Sequence, residues 1–489
     1  MSVSPSHDST HRVLSNRFGF TSLRPLQAMA IDHVLAGRDA LIVMPTGGGK
    51  SLCFQLPALV LQAQHAESPG IGLVFSPLIA LMEDQVAALR RKGIRATYIN
   101  STLSRKDRDA RQAAIARGEF ELVYATPERM GRPGFAEALA AVPGGVRLLA
   151  VDEAHCISKW GHDLRPAYRE VGRFRTLLGE PVTVALTATA TAAVREDIHD
   201  VLGQADMSLF ASGIDRPNLT LDVVEVWDDA DKVRALRDVS ASHRGTGIAY
   251  FTLIKDLERF ESLVRREIPD CQVERYHGKL DPREKRRVYK RFIEAGPDDR
   301  LLLLATNAFG MGVDKPDLRF VVHMQVPGSV EAYYQEVGRA GRDGLPSRCA
   351  LLYAQDDLAI QQEFIRWQNP SPDVIVRVAV AAERRSEEEF DEDDLRIDAL
   401  GKSGQSGIVQ YALIELARLG VVTPVYMGSD ATGRYRFAQP LDHDLVDPEE
   451  IEAKAKRDLQ RLLQMVHLTR AEDVRSFVLD YFELEPTPV

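Results

Sequence analysis

The sequence predicts an α/β protein with two tandem parallel-sheet lobes, followed by a mainly α C-terminal region that carries a winged-helix-like unit. Three observations support this. Short apolar runs alternate with helical patterns in two successive series, between residues 38 and 190 and between 247 and 352. The runs mostly lack polar alternation, as expected for strands buried on both faces, and intervening helices imply βαβ units. After Asp357 the pattern and the charge both change. A length of 489 residues fits about three domains.

Taken in order, the first series of strands is Ala40–Met44, Ile71–Ser76, Ala96–Ile99, Glu121–Tyr124, Arg147–Val151 and Val182–Leu186. The second is Gly247–Phe251, Val273–Tyr276, Leu301–Ala305, Phe320–His323 and Cys349–Leu352. Gly213 and Pro217 interrupt the pattern near Ser212–Asn218, so the expected domains are residues 1–213, 214–356 and 357–489. In the last domain a helical stretch, Asp373–Arg385, leads into the acidic run Glu387–Asp394, read as a solvated surface segment. Helix Asp393–Leu400, a turn at Gly401–Ser406, helix Ile408–Leu419 and two strands, Val421–Met427 and Arg434–Ala438, follow in the order of a winged helix, at about 393–440. A final helical stretch runs from Pro448 to Phe482.

The chain is 45% hydrophobic and 27% charged, with net charge −10. Residues 357–489 hold 15 basic and 26 acidic residues, and residues 1–356 hold 46 and 45, so the acidity lies in the last quarter. That total opposes long-range steering onto nucleic acid but leaves room for a local basic groove. No apolar run reaches membrane-span length, and no secretory signal opens the chain. Cys53, Cys156, Cys271 and Cys349 are far apart, with no CxxC. The expectation is therefore a cytoplasmic protein with reduced thiols, no zinc and no membrane partner.

Three motifs point to chemistry. Met44-Pro-Thr-Gly-Gly-Gly-Lys-Ser51 lies between a strand and a helix, and glycines there let backbone N–H groups cradle phosphate. Thr46, Gly47, Gly48 and Gly49 would line the cradle, Lys50 would reach the β/γ-phosphates, and Ser51 would ligate Mg²⁺. The loop departs from the usual phosphate-loop pattern at its first position, where Met44 stands for glycine. Val151-Asp-Glu-Ala-His155 ends another strand: Asp152 suits Mg²⁺, and Glu153 suits orienting the attacking water. In the second lobe, Gln335, Arg339 and Arg342 are spaced by four and three, which predicts one side of a helix. Guanidinium groups suit a developing γ-phosphate charge, so lobe closure would complete the site.

Read with their neighbours, these motifs resemble the RecQ family of superfamily 2 DNA helicases, over roughly residues 12–356. Phe18-Gly-Phe-Thr-Ser-Leu-Arg-Pro-Leu-Gln27 looks like motif 0, which implies that Phe20 stacks on adenine while Arg24 and Gln27 clamp the nucleotide. Ser76–Gln85, Ala125–Arg129, Thr187–Thr191 and Ala305–Asp314 resemble motifs Ia, Ib, III and V. The resemblance implies RecA-like lobes, places Ser76, Thr126, Arg129 and Thr306 near DNA, and places Asp314 at the nucleotide. Asp152–Asp163 joins the acidic motif to the family's aromatic-rich loop. Trp160 there can stack on a base or pack as a half-buried aromatic, and His162 and Arg165 could sense a bound strand. Leu164 stands where the family usually has an aromatic residue, and Ala249–Lys255 lacks the polar character of motif IV. The basic cluster Lys285–Arg291 reads either as a solvated helix face or as a phosphate track.

The resemblance implies an ATP- and Mg²⁺-dependent helicase acting on single-stranded, tailed or forked DNA, moving 3′ to 5′, in DNA repair and recombination. An RNA-directed helicase and an ATP-gated clamp without strand separation are the alternatives. RecQ relatives usually continue into a four-cysteine zinc module, but no cysteine follows Cys349. Thr469–Phe482 still resembles that module's helix, with Asp473 where a ligand cysteine would be, which implies a metal-free helical hairpin. The winged-helix-like unit reads as a DNA contact or as a protein-docking or bracing element. Its wing, from Tyr426 to Tyr435, is a candidate strand-splitting pin.

Overall fold

The computed structural model describes residues 5–488 except 46, 101, 133, 159–165, 205, 311–312, 314, 403 and 428–429. The first lobe holds β1 (Ala40–Val43), β2 (Ile71–Phe75), β3 (Ala96–Ile99), β4 (Leu122–Ala125), β5 (Val146–Val151), β6 (Val182–Thr187) and β7 (Ser208–Ala211). They form one sheet in the order β3-β4-β2-β5-β6-β1-β7, and all its pairings are parallel. Both faces are covered. In β1, Leu41 and Val43 enter one apolar core while Ala40 and Ile42 enter the other, which is the period-two alternation of a strand buried on both sides.

The second lobe holds β8 (Leu219–Glu225), β9 (Thr246–Tyr250), β10 (Gln272–Tyr276), β11 (Leu301–Ala305), β12 (Leu318–His323) and β13 (Ser347–Tyr353), in the order β10-β11-β9-β12-β13-β8. Sequence periodicity misses β7 and β8 for the same reason. Both are edge strands, where half-exposed positions such as Leu209, Asp222 and Glu225 break the continuous apolar signal. Parallel pairing has the consequence that matters for function: the loops leaving β1, β2, β4 and β5 all emerge at one edge of the first sheet.

The chain divides into two compact units. Both lobes and residues 471–489 belong to the first, while Val326–Val330 and Tyr353–Arg470 form the second. In the second unit, helices Pro372–Glu383, Glu392–Leu400 and Ser406–Arg418 pack around Val378, Phe390, Leu395 and Leu413. Asp391 begins the middle helix in a capping box, accepting from Asp393 N and Asp394 N while its own N–H donates to Asp394 Oδ2 at 3.0 Å. The strands β14 (Val422–Met427) and β15 (Asp430–Phe437) form an antiparallel hairpin after these helices. The acidic run is not merely solvated, because Glu389 and Asp394 bind the wing arginines Arg436 and Arg434, the latter at 3.1 Å. The tip of the β14–β15 hairpin, residues 428 and 429, lies outside the described residues.

The last helical stretch is two helices, Pro448–Thr469 and Val474–Phe482. Asp473 caps the second, accepting from Arg475 N at 2.9 Å and from Ser476 Oγ at 2.5 Å. The Ser476 hydrogen bonds and those of the neighbouring backbone hold its carboxyl below the usual aspartate range. That second helix belongs to the first compact unit, although the sequence groups it with the acidic quarter. No described helix is long and apolar enough to cross a membrane.

Gly247 on β9 lies opposite Phe320 on β12, and a Cβ there would run into the Phe320 ring. Gly247→Ala is expected to destabilise the protein by about 1–3 kcal/mol through overpacking, read as a lower thermal-unfolding midpoint.

Candidate active site

The glycine loop follows β1 and precedes helix Leu52–Gln64. Gly47 (φ +79°) and Gly49 (φ +82°) adopt left-handed backbone conformations that favour glycine. Gly48 is crowded differently, since a Cβ there would sit 2.9 Å from Pro45 O and 3.3 Å from Met44 Cβ. Met44 is thus part of the loop's packing, and its backbone O accepts from Lys50 Nζ at 2.9 Å.

Two motif 0 residues meet this loop. Gln27, 5% exposed, donates through Nε2 to Gly49 O at 3.2 Å and Gly48 O at 3.4 Å. Arg24 Nη1 donates to Gly48 O at 3.2 Å. The two are linked, because Gln27 Oε1 accepts from Arg24 N at 3.0 Å, which caps helix Pro25–Leu35. Phe20 is 49% exposed, with the Lys92 ammonium 5.4 Å from its ring centroid. An aromatic face left this open is available for stacking.

Asp152 and Glu153 follow β5. Asp152 is 7% exposed; its carboxylate accepts from Glu153 N at 3.1 Å and from Ser76 Oγ at 3.4 Å. Burial, then the Glu153 charge, push its pKa up to about 7, against the pull of Lys50 and these hydrogen bonds. Burial lowers the Lys50 pKa, Glu153 and Asp152 oppose that, and Arg342 adds to the lowering. These side chains therefore share one electrostatic neighbourhood. Ser51 Oγ accepts from Gln85 Nε2 at 3.4 Å. Glu153 has φ +50°, a conformation rare outside glycine and costly by about 1–3 kcal/mol. Its carboxylate lies 3.3 Å from His155 Nδ1, which is 3.1 Å from Thr187 Oγ1. The Thr187 hydroxyl itself donates to Thr189 O at 2.9 Å. His155 therefore links the acidic motif to the loop after β6. Burial alone would lower the His155 pKa, but the Cys156 and Glu153 interactions outweigh it and hold it well above the usual histidine value.

Spacing predicts Gln335, Arg339 and Arg342 on one helix, and here the structure corrects it. Helix Val330–Val337 ends first, and both arginines lie in the following turn, where Gly341 (φ +56°) takes a left-handed conformation. Arg339 is buried and donates to Gly310 O, and Arg342 Nη1 donates to Val313 O at 2.8 Å. Arg342 nonetheless meets the first lobe: a Cβ on Gly47 would stand 3.5 Å from its Cγ. Gln335 Nε2 is buried and makes no hydrogen bond among the described residues. Sequence reasoning missed what fixes this turn. Arg216 Nη2 donates to Ala340 O and Gly341 O, both at 2.9 Å, and Asn218 Nδ2 donates to Gly341 O at 2.9 Å. The only signal in Asp215-Arg-Pro-Asn218 was the punctuation of a joint.

The residues expected near a strand divide into three groups. Ser76 is spent on Asp152, and Thr126 precedes the short helix Pro127–Gly131. Arg129 and Thr306 are buried, so neither is offered at the surface. Trp160, His162 and Arg165 lie outside the described residues, as do Thr46 and Asp314. In the basic cluster, Arg287 and Arg291 pair with Glu274 at 3.0 and 3.3 Å, and Lys290 lies 3.8 Å from Glu294. Those pairs favour the helix-face reading over a phosphate track.

Residues 24–198 match the DEAD/DEAH box helicase family model, and residues 231–344 match the helicase conserved C-terminal domain. The probable ATP-dependent DNA helicase RecS of Bacillus subtilis is 39% identical over 426 residues, covering 87% of this chain and 82% of that protein. The chain belongs to the RecQ family of helicases. The ATP-dependent DNA helicase RecQ of the same organism is 42% identical over 357 residues, 72% of this chain. The chain spans only 57% of that relative's length. A crystal structure of the helicase MrfA bound to DNA shares the fold, with a TM-score of 0.58 at 21% identity over 92% of this chain and 61% of that one.

Gly49 carries the sharpest local expectation. A Cβ there would collide with Gln27 Nε2, in a backbone conformation that L side chains resist. Gly49→Ala is expected to weaken nucleotide binding at least about tenfold, measured by titration with a fluorescent ATP analogue, with Gly37→Ala, at a similar φ of +79° but with nothing within 4 Å of its Cβ, as the control for backbone strain alone.

Proposed function

We propose that this RecQ-family helicase couples Mg²⁺-dependent ATP hydrolysis to 3′-to-5′ movement on single-stranded DNA and to unwinding of tailed or forked duplexes, in DNA repair and recombination. One observation carries the reading: Arg342 of the second lobe packs on Gly47 of the first lobe's glycine loop, in the same electrostatic neighbourhood as Lys50, Asp152 and Glu153. Hydrolysis at that position depends on the arrangement of the lobes. A strand held by both lobes would be shifted by cycles of opening and closing.

The donor set fits Mg²⁺. Asp152 is a buried carboxylate whose charged form is disfavoured beside Glu153, so a divalent cation would relieve the repulsion. Asp152 and the Ser51 hydroxyl would hold the ion, which when bound neutralises phosphate charge. Lys50 binds the β/γ-phosphates, and backbone N–H groups of residues 47–49 cradle them. Glu153 orients the attacking water and takes its proton, and His155 fixes that carboxylate from behind. Arg342, with Arg339 behind it on Gly310 O, meets the charge developing on the γ-phosphate. Phe20 stacks on the base. Gln27 and Arg24 exchange loop carbonyls for nucleotide groups, which would make base recognition and loop shape interdependent.

Lys50→Ala is expected to abolish ATP binding. Glu153→Gln should retain binding while slowing DNA-stimulated phosphate release on the order of 10²-fold or more. Arg342→Ala should also retain binding and lower kcat on the order of 10³-fold. A gel assay comparing 3′-tailed, 5′-tailed and blunt duplexes tests polarity, and equal unwinding of 5′-tailed substrate would overturn it. Stimulation by RNA equal to that by DNA would favour an RNA-directed enzyme. DNA-stimulated ATPase without strand separation would favour a clamp.

A further inference from the structure

The helix Val474–Phe482 and the residues after it touch three parts of the first compact unit. In the linker between the lobes, Arg475 Nη1 donates to Asp215 Oδ1 at 2.5 Å and to Arg216 O at 2.9 Å, and Nη2 donates to Leu219 O at the start of β8. In the second lobe, Tyr481 OH donates to Glu331 Oε1 at 2.8 Å. Phe482 packs edge-on against Tyr334 at 5.5 Å, and Tyr334 OH in turn donates to Ile214 O. In the first lobe, Arg195 Nη1 reaches Phe482 O at 3.5 Å, and Thr487 N donates to Ala211 O at 2.7 Å. Ala211 N returns a bond to Thr487 Oγ1 at 2.8 Å. β7, which carries Ala211, is an edge strand, so this pair covers part of an open edge. Glu483, at φ +44°, turns the chain from the helix toward β7, and Pro486 packs on Gly213.

Two of these contacts lead directly to the arginine turn. Arg475 holds the backbone of Arg216, whose own guanidinium holds Gly338 O, Ala340 O and Gly341 O. Tyr481 and Phe482 hold the helix that leads into the same turn, at Glu331 and Tyr334. We propose that residues 471–488 form an interlobe clasp and that Arg475 is its positioning residue: through Arg216 it sets the turn that presents Arg342 to the glycine loop. This inference rests on the reading of Arg342 given above. A segment bound to both lobes and to their linker stabilises the lobe arrangement in which all its contacts coexist. The clasp therefore favours the geometry that puts Arg342 on Gly47.

The test uses the full chain, with steady-state ATPase at saturating single-stranded DNA. Arg475→Ala is expected to lower kcat about tenfold while KM for ATP changes less than about twofold, because the first lobe's nucleotide contacts remain. Arg475→Lys should recover part of that loss. In an Arg342→Ala background, Arg475→Ala should add no further loss, since both changes remove one action. If Arg475→Ala does not fold, Tyr481→Phe, which keeps the ring packing, should lower kcat about threefold at unchanged KM. Wild-type kcat in the variant that folds, or a loss additive with Arg342→Ala, would overturn the clasp while leaving the Arg342 reading intact. Normal turnover in Arg342→Ala alone would overturn both.

Discussion

Three consecutive glycines after β1 leave gaps that other parts of the molecule fill, and the site depends on that close packing. Arg342 stands beside Gly47, Pro45 O and Met44 beside Gly48, and Gln27 beside Gly49. A Cβ at Gly49 would run into motif 0, one at Gly48 would press on the loop's own Pro45 and Met44, and one at Gly47 would come into contact with Arg342. The same absence of side chains that lets phosphate approach backbone N–H groups therefore also lets a glutamine and an arginine reach the loop. Loop, motif 0 and Arg342 thus meet at one short stretch of backbone.

Electrostatics then gives the site its polarity. Two carboxylates stand side by side after β5, one of them deeply buried, with a half-buried lysine near them. Such a group is not at its own minimum, and it is held by structure around it. Asp152 N–H is tied to Phe75 O at 2.8 Å, Ser76 supports its carboxylate, and His155 with Thr187 backs Glu153. The left-handed backbone at Glu153 belongs to the same arrangement, because it turns the chain sharply where β5 ends. Cost of this kind persists where the surroundings overdetermine it, and a seven-stranded sheet with two cores does so.

The acidic quarter is organised differently. Its charges are largely used within the second unit: Asp391 and Asp394 cap a helix, and Glu389 and Asp394 neutralise the wing arginines. These pairs tie the wing to the acidic segment of the same unit. Asp473 serves as a helix cap at the position where the family's zinc module would have a ligand cysteine. One carboxylate can start a helix without metal, because it needs only the two orphan donors of the first turn.

Much of this protein was determined by the sequence alone. Continuous apolar runs specified buried parallel strands, and the glycine-lysine-serine and acidic motifs pointed to the loop after β1 and the carboxylates after β5 that the fold brings together, because those constraints are local. Edge strands β7 and β8 were not legible, since their half-exposed positions mimic loops. The arginine spacing was legible but its geometry was not: periodicity predicts a helix, and Gly341 together with Arg216 and Asn218 decides for a turn. Ser76, Arg129 and Thr306 match their motifs, yet burial and hydrogen bonding, which no motif records, place them inside. Only tertiary structure could bring Arg475 to the linker some 260 residues earlier. Such a contact depends on how separately folded segments pack, and the chain carries no local signal for it.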